Sequence, residues 1–405
     1  MNSRREAIFV LAQWLDTGDF PDRMIPAGDN HAFITDLVYT TIRRCRTLTW
    51  ALEQFVAKMP KGETEAALLV GAAQILFMPS VVEYAAVNET VAAAKLTSRQ
   101  TGGLVNAVLR NLIRKRDQLL ELLAKQSLGT RLSHPDALVT RWLERFSEAE
   151  VTALCEWNNQ PAETYLAWMP GAEEPFTRLP RGTRIETLPE YGEGRFIVQD
   201  PSTAAAISLM DIRPGLRVLD ACAAPGGKAI QLAWRMDLQG AESKLVALDL
   251  YEDRLAVLRE NLARTRQPNV TVAQGSLVDD TDALRAAHGL FDRILLDVPC
   301  SNTGVLRRRP DARWRWTTKR MKKLCEAQAN ILEAALALLA PNGRIVYSTC
   351  SLEPEENRKQ ITAFRKTHPE VICTGVEERI PTRSQTDGAF ACALEREGNE
   401  VTIRD

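Results

Sequence analysis

Apolar positions recur at helical spacing in six runs over the first part of the chain, at 7–15, 33–42, 48–55, 66–76, 86–96 and 104–113. Spacing of i, i+3 and i+4 marks helices that each bury one face. Short polar breaks such as Pro60-Lys61-Gly62 and Thr101-Gly102-Gly103 separate the runs, so residues 1–125 read as an all-α bundle. Two more helices are expected between 132 and 159, the second opened by Ser147 with Glu150 three residues on, the pattern of a capping box. Short strand-like pieces at 164–168 and 183–187 then stand among prolines and glycines. Residues 126–195 are therefore taken as linker helices and a small α+β module. From 196 the pattern changes. Strand-length apolar runs at 217–219, 244–248, 270–272, 293–296 and 344–347 alternate with helical stretches at 228–235, 254–264 and 325–339. That alternation predicts an α/β, doubly wound sheet over 196–405.

Composition narrows the function classes. The 405 residues suffice for two or three domains, and 45% hydrophobic with 25% charged content is ordinary for a globular protein. A net charge of −1 supplies no global field for a polyanion, so any nucleic-acid partner must be held by a local patch. The eight cysteines contain no CxxC pair and the four histidines are scattered, so zinc-ligand spacing is missing and no metal is expected. Dispersed thiols suit a reducing cytosol. The basic start at Arg4-Arg5 is followed by an apolar stretch that Gln13 and Asp16 interrupt, and no run reaches the ~18 residues of a membrane span. A cytoplasmic protein, monomeric by default and without membrane partners, is the expectation.

Two motifs carry the chemistry. Cys300 in Asp297-Val298-Pro299-Cys300-Ser301 and Cys350 in Ser348-Thr349-Cys350-Ser351 follow the apolar runs 291–296 and 344–347. The carboxyl ends of strands in an open parallel sheet form the ligand crevice, so the two thiols fall on one rim. The competing reading is burial, the default for a free thiol, and it is kept for Cys45, Cys155, Cys222, Cys325, Cys373 and Cys392. The second motif is Val218-Leu219-Asp220-Ala221-Cys222-Ala223-Ala224-Pro225-Gly226-Gly227-Lys228, a glycine pair between a strand and a helix. It is not a P-loop, because Cys222 replaces the first glycine and Ala229 follows the lysine; GxGxxG is absent too. Asp249 closes the next strand, where an acid can accept hydrogen bonds from ribose hydroxyls. A nucleoside without a phosphate chain fits this arrangement, which makes S-adenosylmethionine the leading ligand. A thiolate adding to carbon 6 of a pyrimidine activates carbon 5 toward a methyl sulfonium, and Asp297 can share a proton with ring nitrogen 3. Spacing alone leaves open which thiol attacks. Nine of the seventeen residues from 307 to 323 are basic, among them Arg307, Arg308, Arg309, Arg313, Arg315 and Lys319, with Trp314 and Trp316 interleaved. Cations for phosphates and indoles for bases predict an RNA cleft there.

These residues resemble the RNA cytosine-5 methyltransferase family of the ribosomal small-subunit type. The resemblance is carried by 220–228, 297–301, Asn302-Thr303-Gly304-Val305 through Asp311, and 347–351, with Val198-Gln199-Asp200 and Asp387-Gly388-Ala389-Phe390 as further strand segments. The first 125 residues resemble its NusB-like RNA-binding domain through Asp36-Leu37-Val38-Tyr39, Ala86-Val87-Asn88-Glu89-Thr90-Val91 and 105–110. The resemblance implies a NusB-like bundle, a short linker module and a Rossmann-like methyltransferase domain. It implies Cys350 as the attacking thiolate, Cys300 as the thiol that assists release, and Asp297 beside methyl donor and cytosine. It further implies cofactor contacts from Asp220, Ala223, Pro225, Gly226, Gly227, Lys228, Asp249, Arg254 and Ser276, while the RNA contacts expected from Arg307, Arg308, Arg309, Arg313, Trp314, Arg315 and Lys319 rest on the basic run itself. The substrate so implied is RNA, 16S ribosomal RNA first and transfer RNA as an alternative. Two departures stand out: Gly275-Ser276 replaces the usual Gly-Asp that meets adenine, leaving Ser276 or Asp279 to substitute, and the 161–195 module is abridged. The main reading from another class is a non-catalytic RNA-binding or assembly protein, for which neither thiol would be needed.

Overall fold

In the computed structural model, which describes residues 2–236 and 243–396, the chain divides into two units. One runs to Pro161 and includes Leu306–Trp316; the other comprises Ala162–Val305 and the chain from Thr317.

The first unit is helical: α1 (Ser3–Thr17), α2 (His31–Glu53), α3 (Glu63–Phe77), α4 (Glu83–Lys95), α5 (Arg99–Arg114), α6 (Arg116–Ala124), α7 (Leu128–Arg131), α8 (Asp136–Leu143) and α9 (Glu148–Asn158). Helix α3 is buried on every face from Ala66 to Ile75, as a helix apolar all round must be. The others turn one stripe onto it, from Ala7, Ile8 and Leu11 of α1 to Val105, Leu109 and Leu112 of α5. The two runs expected at 33–42 and 48–55 are one helix, α2. The intervening polar residues are not a break, because the fold buries and bonds them: Thr47 Oγ1 donates to Thr130 O at 2.7 Å, and Arg46 forks onto Asp136 at 2.7 and 2.8 Å. The same bonds tie α7 and α8 to α2, so the boundary expected at 125 falls inside this unit. Ser147 and Glu150 form the expected capping box at the start of α9.

The second unit opens with a small antiparallel sheet, order β2-β1-β3, from β1 (Tyr165–Trp168), β2 (Phe176–Arg178) and β3 (Phe196–Val198), with the one-turn helix α10 (Pro189–Gly192) before β3. The strand expected at 183–187 is instead a 3-10 turn over Ile185–Thr187, in a stretch flanked by Pro180 and Pro189, which lack ladder donors. Then follow α11 (Ala204–Leu209), β4 (Arg217–Asp220), α12 (Gly227–Arg235), β5 (Lys244–Asp249), α13 (Glu252–Arg264), β6 (Val270–Gln274), α14 (Thr281–His288) and β7 (Phe291–Asp297). After these come α15 (Ala312–Arg315, within the first unit), α16 (Thr318–Leu338), β8 (Leu339–Thr349), α17 (Arg358–Thr367), β9 (Val371–Arg379), α18 (Pro381–Ser384) and β10 (Ala389–Arg396).

The seven strands pair in the order β6-β5-β4-β7-β8-β10-β9, parallel except for β10, which runs antiparallel to both neighbours. Successive strand residues serve opposite cores. Val218, Leu245, Ala247, Leu295 and Val346 pack with α11, α12 and α13, while Leu219, Val246, Leu248, Ile294, Leu296 and Ile345 pack with α16 and α17. A strand buried on both faces reads as a continuous apolar run, which is why these strands were visible in the sequence. Strand order reverses at β4, between β5 and β7, so the crevice opens over the carboxyl ends of these three strands.

Candidate active site

The loop between β4 and α12 is shaped by its glycines. Gly226 sits at φ 110°, a left-handed conformation, and an added Cβ would lie 2.5 Å from Leu258 Cδ1. Asp249, 4% exposed at the end of β5, pins that loop: Oδ2 accepts the Ala224 N–H at 3.1 Å and Oδ1 the Tyr251 N–H at 3.2 Å, with Arg254 3.5 Å away. A cavity of about 430 Å³ opens beside it, lined by Cys222, Asp249, Tyr251, Arg254, Ser276, Asp279 and Asp297, with apolar walls from Leu277 and Ile331. A carboxylate at one end, apolar walls and two further polar groups at Ser276 and Asp279 suit a nucleoside with a short charged tail. Ser276 Oγ already accepts the Asp279 N–H at 3.1 Å.

A second cavity of about 330 Å³ borders the same loop, lined by Gln199, Ala223, Pro225, Gly227, Lys228, Asn261 and Asp297. Cys222, Ala224 and Asp297 border both cavities. Lys228 Nζ meets Asp297 Oδ2 at 2.6 Å. Burial alone would lower the Lys228 pKa, but the Asp297 carboxylate outweighs it and holds the ammonium above its ordinary value. Asp220 is fully buried beneath them; burial first, then repulsion from Asp297, raises its carboxyl to about 7.

The two thiols meet. Parallel pairing of β7 with β8 sets Asp297 opposite Ser348, and just past those strand ends Cys300 Sγ and Cys350 Sγ stand 3.3 Å apart. Asn302, at φ 61°, turns its side chain back so that the Cys350 thiol donates to Oδ1 at 3.0 Å while Nδ2 donates to Cys300 O at 3.2 Å. Its hydrogen bond with Cys350, together with burial, pushes the Cys300 thiol well above its ordinary pKa. Gly304 donates its N–H to Cys350 O at 2.9 Å. A Cβ at Gly304 would come within 2.7 Å of that oxygen and 2.9 Å of Gly388 Cα, so only glycine admits the approach.

All the residues singled out for cofactor and catalysis thus lie at the carboxyl rim of the large sheet. The basic segment does not behave as the RNA cleft expected of it. Arg307 and Arg313 are 2% and 0% exposed. The Arg313 guanidinium is spent on Ser133 O at 3.0 Å, Asn158 O at 3.0 Å, Asn159 Oδ1 at 2.9 Å and Arg43 O at 3.3 Å. Trp314 donates to Ile42 O at 2.8 Å, Arg307 stacks on Trp157, Arg309 pairs with Asp22, and Arg315 pairs with Asp311 and stacks on Phe20; Arg308 is half-buried. Within the first unit these side chains, Arg313 and Trp314 above all, are interior packing and internal ion pairs. Lys319, Arg320, Lys322 and Lys323, at the start of α16, are exposed.

The sequence reading missed Glu356. It is fully buried, and burial raises its pKa even though Ser301 and Ser351 hydrogen-bond to it. The only signal was its place in the acidic run Glu353-Pro354-Glu355-Glu356 after the second cysteine, which resembles a solvated turn.

Comparison with known proteins agrees with this geometry. The model of the 16S rRNA methyltransferase RsmB/F family matches residues 207–395, and that of the NusB family matches residues 1–114. The ribosomal RNA small subunit methyltransferase B of Proteus mirabilis (strain HI4320) is 32% identical over 429 residues, covering 98% of this chain and 99% of its own. The chain belongs to the ribosomal RNA small subunit methyltransferase B family. It is an S-adenosylmethionine-dependent methyltransferase with a NusB-like first domain. Among solved structures, PH0851 superposes with a TM-score of 0.79 at 20% identity over 98% of both chains, a likeness of fold. A methyltransferase homologue from Pyrococcus horikoshii gives 0.56 at 25% identity over 66% of this chain and 97% of its own. Among the described residues no helix is long and apolar enough to cross a membrane.

Proposed function

We propose that this family member methylates carbon 5 of a cytosine in small-subunit ribosomal RNA, in the cytoplasm, through a covalent adduct between Cys350 and carbon 6 of the base. The observation that carries this reading is the pair of thiols 3.3 Å apart just past the ends of β7, which bears Asp297, and β8. S-adenosylmethionine, when bound in the larger cavity, supplies an electrophilic methyl carbon. Asp249 is the group placed to take ribose hydroxyls, with Ser276 and Asp279 at the adenine end. Asp297, bordering both cavities and charge-paired with Lys228, faces the donor on one side and the base on the other.

Cys350 attacks carbon 6 as its thiolate, and the Cys300 thiol, 3.3 Å away, donates a hydrogen bond to that thiolate and stabilises it. Addition saturates the 5,6 bond and makes carbon 5 nucleophilic, so it takes the methyl group. Once the Cys350 sulfur is bonded to carbon, it no longer holds the Cys300 proton. Cys300 then gives its own proton to solvent water and, as the resulting thiolate, accepts the carbon 5 proton. The electrons of that C–H bond rebuild the 5,6 double bond as the sulfur–carbon bond breaks and Cys350 leaves. Because carbon 5 inside a stacked helix is out of reach, the target must be extruded or lie in a single-stranded loop. Phosphates are held by Lys319, Arg320, Lys322 and Lys323. Four cations at the start of a helix oppose its dipole, a cost that a polyanion offsets.

The test is methyl transfer from labelled S-adenosylmethionine to undermodified small-subunit RNA, with the product nucleoside identified by mass spectrometry. The expected product is 5-methylcytidine; a methylated adenosine, or no methylated nucleoside in any RNA offered, overturns the reading.

A further inference from the structure

Glu356 takes no part in the chemistry above, yet four donors converge on its buried carboxylate. Oε1 accepts the Ser301 backbone N–H at 2.8 Å and the Gln328 amide at 3.2 Å; Oε2 accepts the Ser351 hydroxyl at 2.5 Å and the Ser301 hydroxyl. Ser301 follows Cys300 and Ser351 follows Cys350, so one carboxylate grips the residue after each thiol. A buried carboxylate is costly unless several donors satisfy it, and here no cation is among its partners. Its own backbone is fixed as well, since the Tyr347 hydroxyl donates to Glu356 O at 2.6 Å.

The need for such a grip follows from the topology. Strands β7 and β8 fix each other by ladder bonds, but both thiols lie beyond the strand ends. Past the bond from Val298 N to Ser348 O at 3.1 Å, the backbone bond from Gly304 to Cys350 O is the next link between the two loops. Between these points the loops are joined by Asn302, by the Ser301 and Ser351 hydroxyls at 3.0 Å, by Thr303 Oγ1 to Ser351 Oγ at 3.2 Å, and by Glu356, which binds both serines at once. We infer that Glu356 is a positioning residue that joins the two cysteine loops and keeps the thiols at their 3.3 Å separation, which the release step requires. The last clause rests on the proposed methyl transfer; the joining of the loops does not.

A carboxylate is the side chain that suits the site. Glutamine has the same shape but one acceptor oxygen; with that oxygen on the Ser301 N–H and the Gln328 amide, its NH2 group faces both serine hydroxyls, which must turn from donating to accepting and so lose the charge-assisted bonds that draw Ser301 and Ser351 together. Glu356→Gln in the full chain is therefore the informative variant, read in two ways.

The first readout uses no RNA. Diamide takes one hydrogen from each thiol of a close pair, closing a disulfide while it is reduced to the hydrazine, and linked peptides are counted by mass spectrometry. Cys373 and Cys392, 3.2 Å apart on β9 and β10, provide an internal reference. Glu356→Gln should slow closure of Cys300–Cys350 by about tenfold or more, because small misplacements of held groups cost up to ~10²-fold in rate, and leave Cys373–Cys392 closure unchanged. The second readout is turnover with RNA: kcat should fall with little change in the RNA KM, and the covalent RNA adduct should accumulate as it would for a lost release thiol. Closure of Cys300–Cys350 at the wild-type rate in Glu356→Gln overturns the positioning role, and so does a parallel change at both cysteine pairs, which would make Glu356 a support of the whole fold. If the wild type closes both disulfides and Glu356→Gln slows only the first, yet no protein transfers methyl to RNA, positioning stands and the proposed function fails.

Discussion

Replacing Arg313 with alanine separates the two roles that a cation in this segment can have. The wild-type guanidinium satisfies three acceptors at 3.0 Å or closer, Ser133 O, Asn158 O and Asn159 Oδ1, in a site with no solvent exposure. Truncation strands them, at about 1–3 kcal/mol for each buried acceptor left without a partner. Against this stands relief of a buried charge, whose desolvation costs several kcal/mol. Burial pulls Arg313 down to about 9, so its bonds do not fully offset that cost. The balance is a loss of ~3 kcal/mol, at the lower edge of what breaking a buried polar pair costs. In urea, with a slope of ~1–3 kcal/mol/M, the unfolding midpoint of the first unit should fall by about 1 M or more, followed by tryptophan fluorescence. Arg313→Lys should recover little, because an ammonium cannot fork across the same acceptors. An unchanged urea midpoint, with weaker RNA binding and a flatter salt dependence, would refute the interior role and restore the RNA reading.

Other consequences are as direct. Asp220 has its folded pKa raised from 3.8 to about 7, so between these values the folded state keeps a proton that the unfolded chain has lost. Stability must then fall as pH rises through that window and level off above it. Asp220→Asn removes the slope, so urea unfolding from pH 5 to 8 should show the variant gaining on the wild type by up to a few kcal/mol toward pH 7; parallel profiles would contradict this. Alanine at Lys319, Arg320, Lys322 and Lys323 should weaken RNA binding evenly across sequences, with the slope of log K against log salt reduced by ~0.7 for each lost contact to single-stranded phosphate. An unchanged slope in filter binding would remove α16 from the interface.

Much of the catalytic unit was legible because its chemistry is local in sequence. Each parallel strand is a short apolar run bounded by turn residues, and each functional group stands at a strand's end: Asp220, Asp249 and Asp297 close β4, β5 and β7, and Cys350 follows β8. The all-helical first unit was legible from its stripes, except where Arg43 to Thr47 interrupt α2. There tertiary bonds satisfy the polar groups, and no spacing rule shows that. The same cause misdirected the reading of 307–315. Nine basic residues in seventeen signal solvent or RNA unless the carbonyls that absorb them are known, and those carbonyls come from Ser133 and Asn158, more than 150 positions away. Glu356 was hidden for the opposite reason, since a buried acid inside an acidic run carries no periodicity. Strand β9 alternates half-buried and exposed residues at the sheet edge and was too polar to stand out.

The most direct test of the account is denaturing gel electrophoresis of wild type, Cys300→Ala and Cys350→Ala after incubation with small-subunit RNA and S-adenosylmethionine. The account predicts a stable protein–RNA band for Cys300→Ala alone, and neither band nor methyl transfer for Cys350→Ala. A band trapped by Cys350→Ala instead would exchange the roles of the two thiols, and full turnover by Cys350→Ala would contradict covalent catalysis altogether.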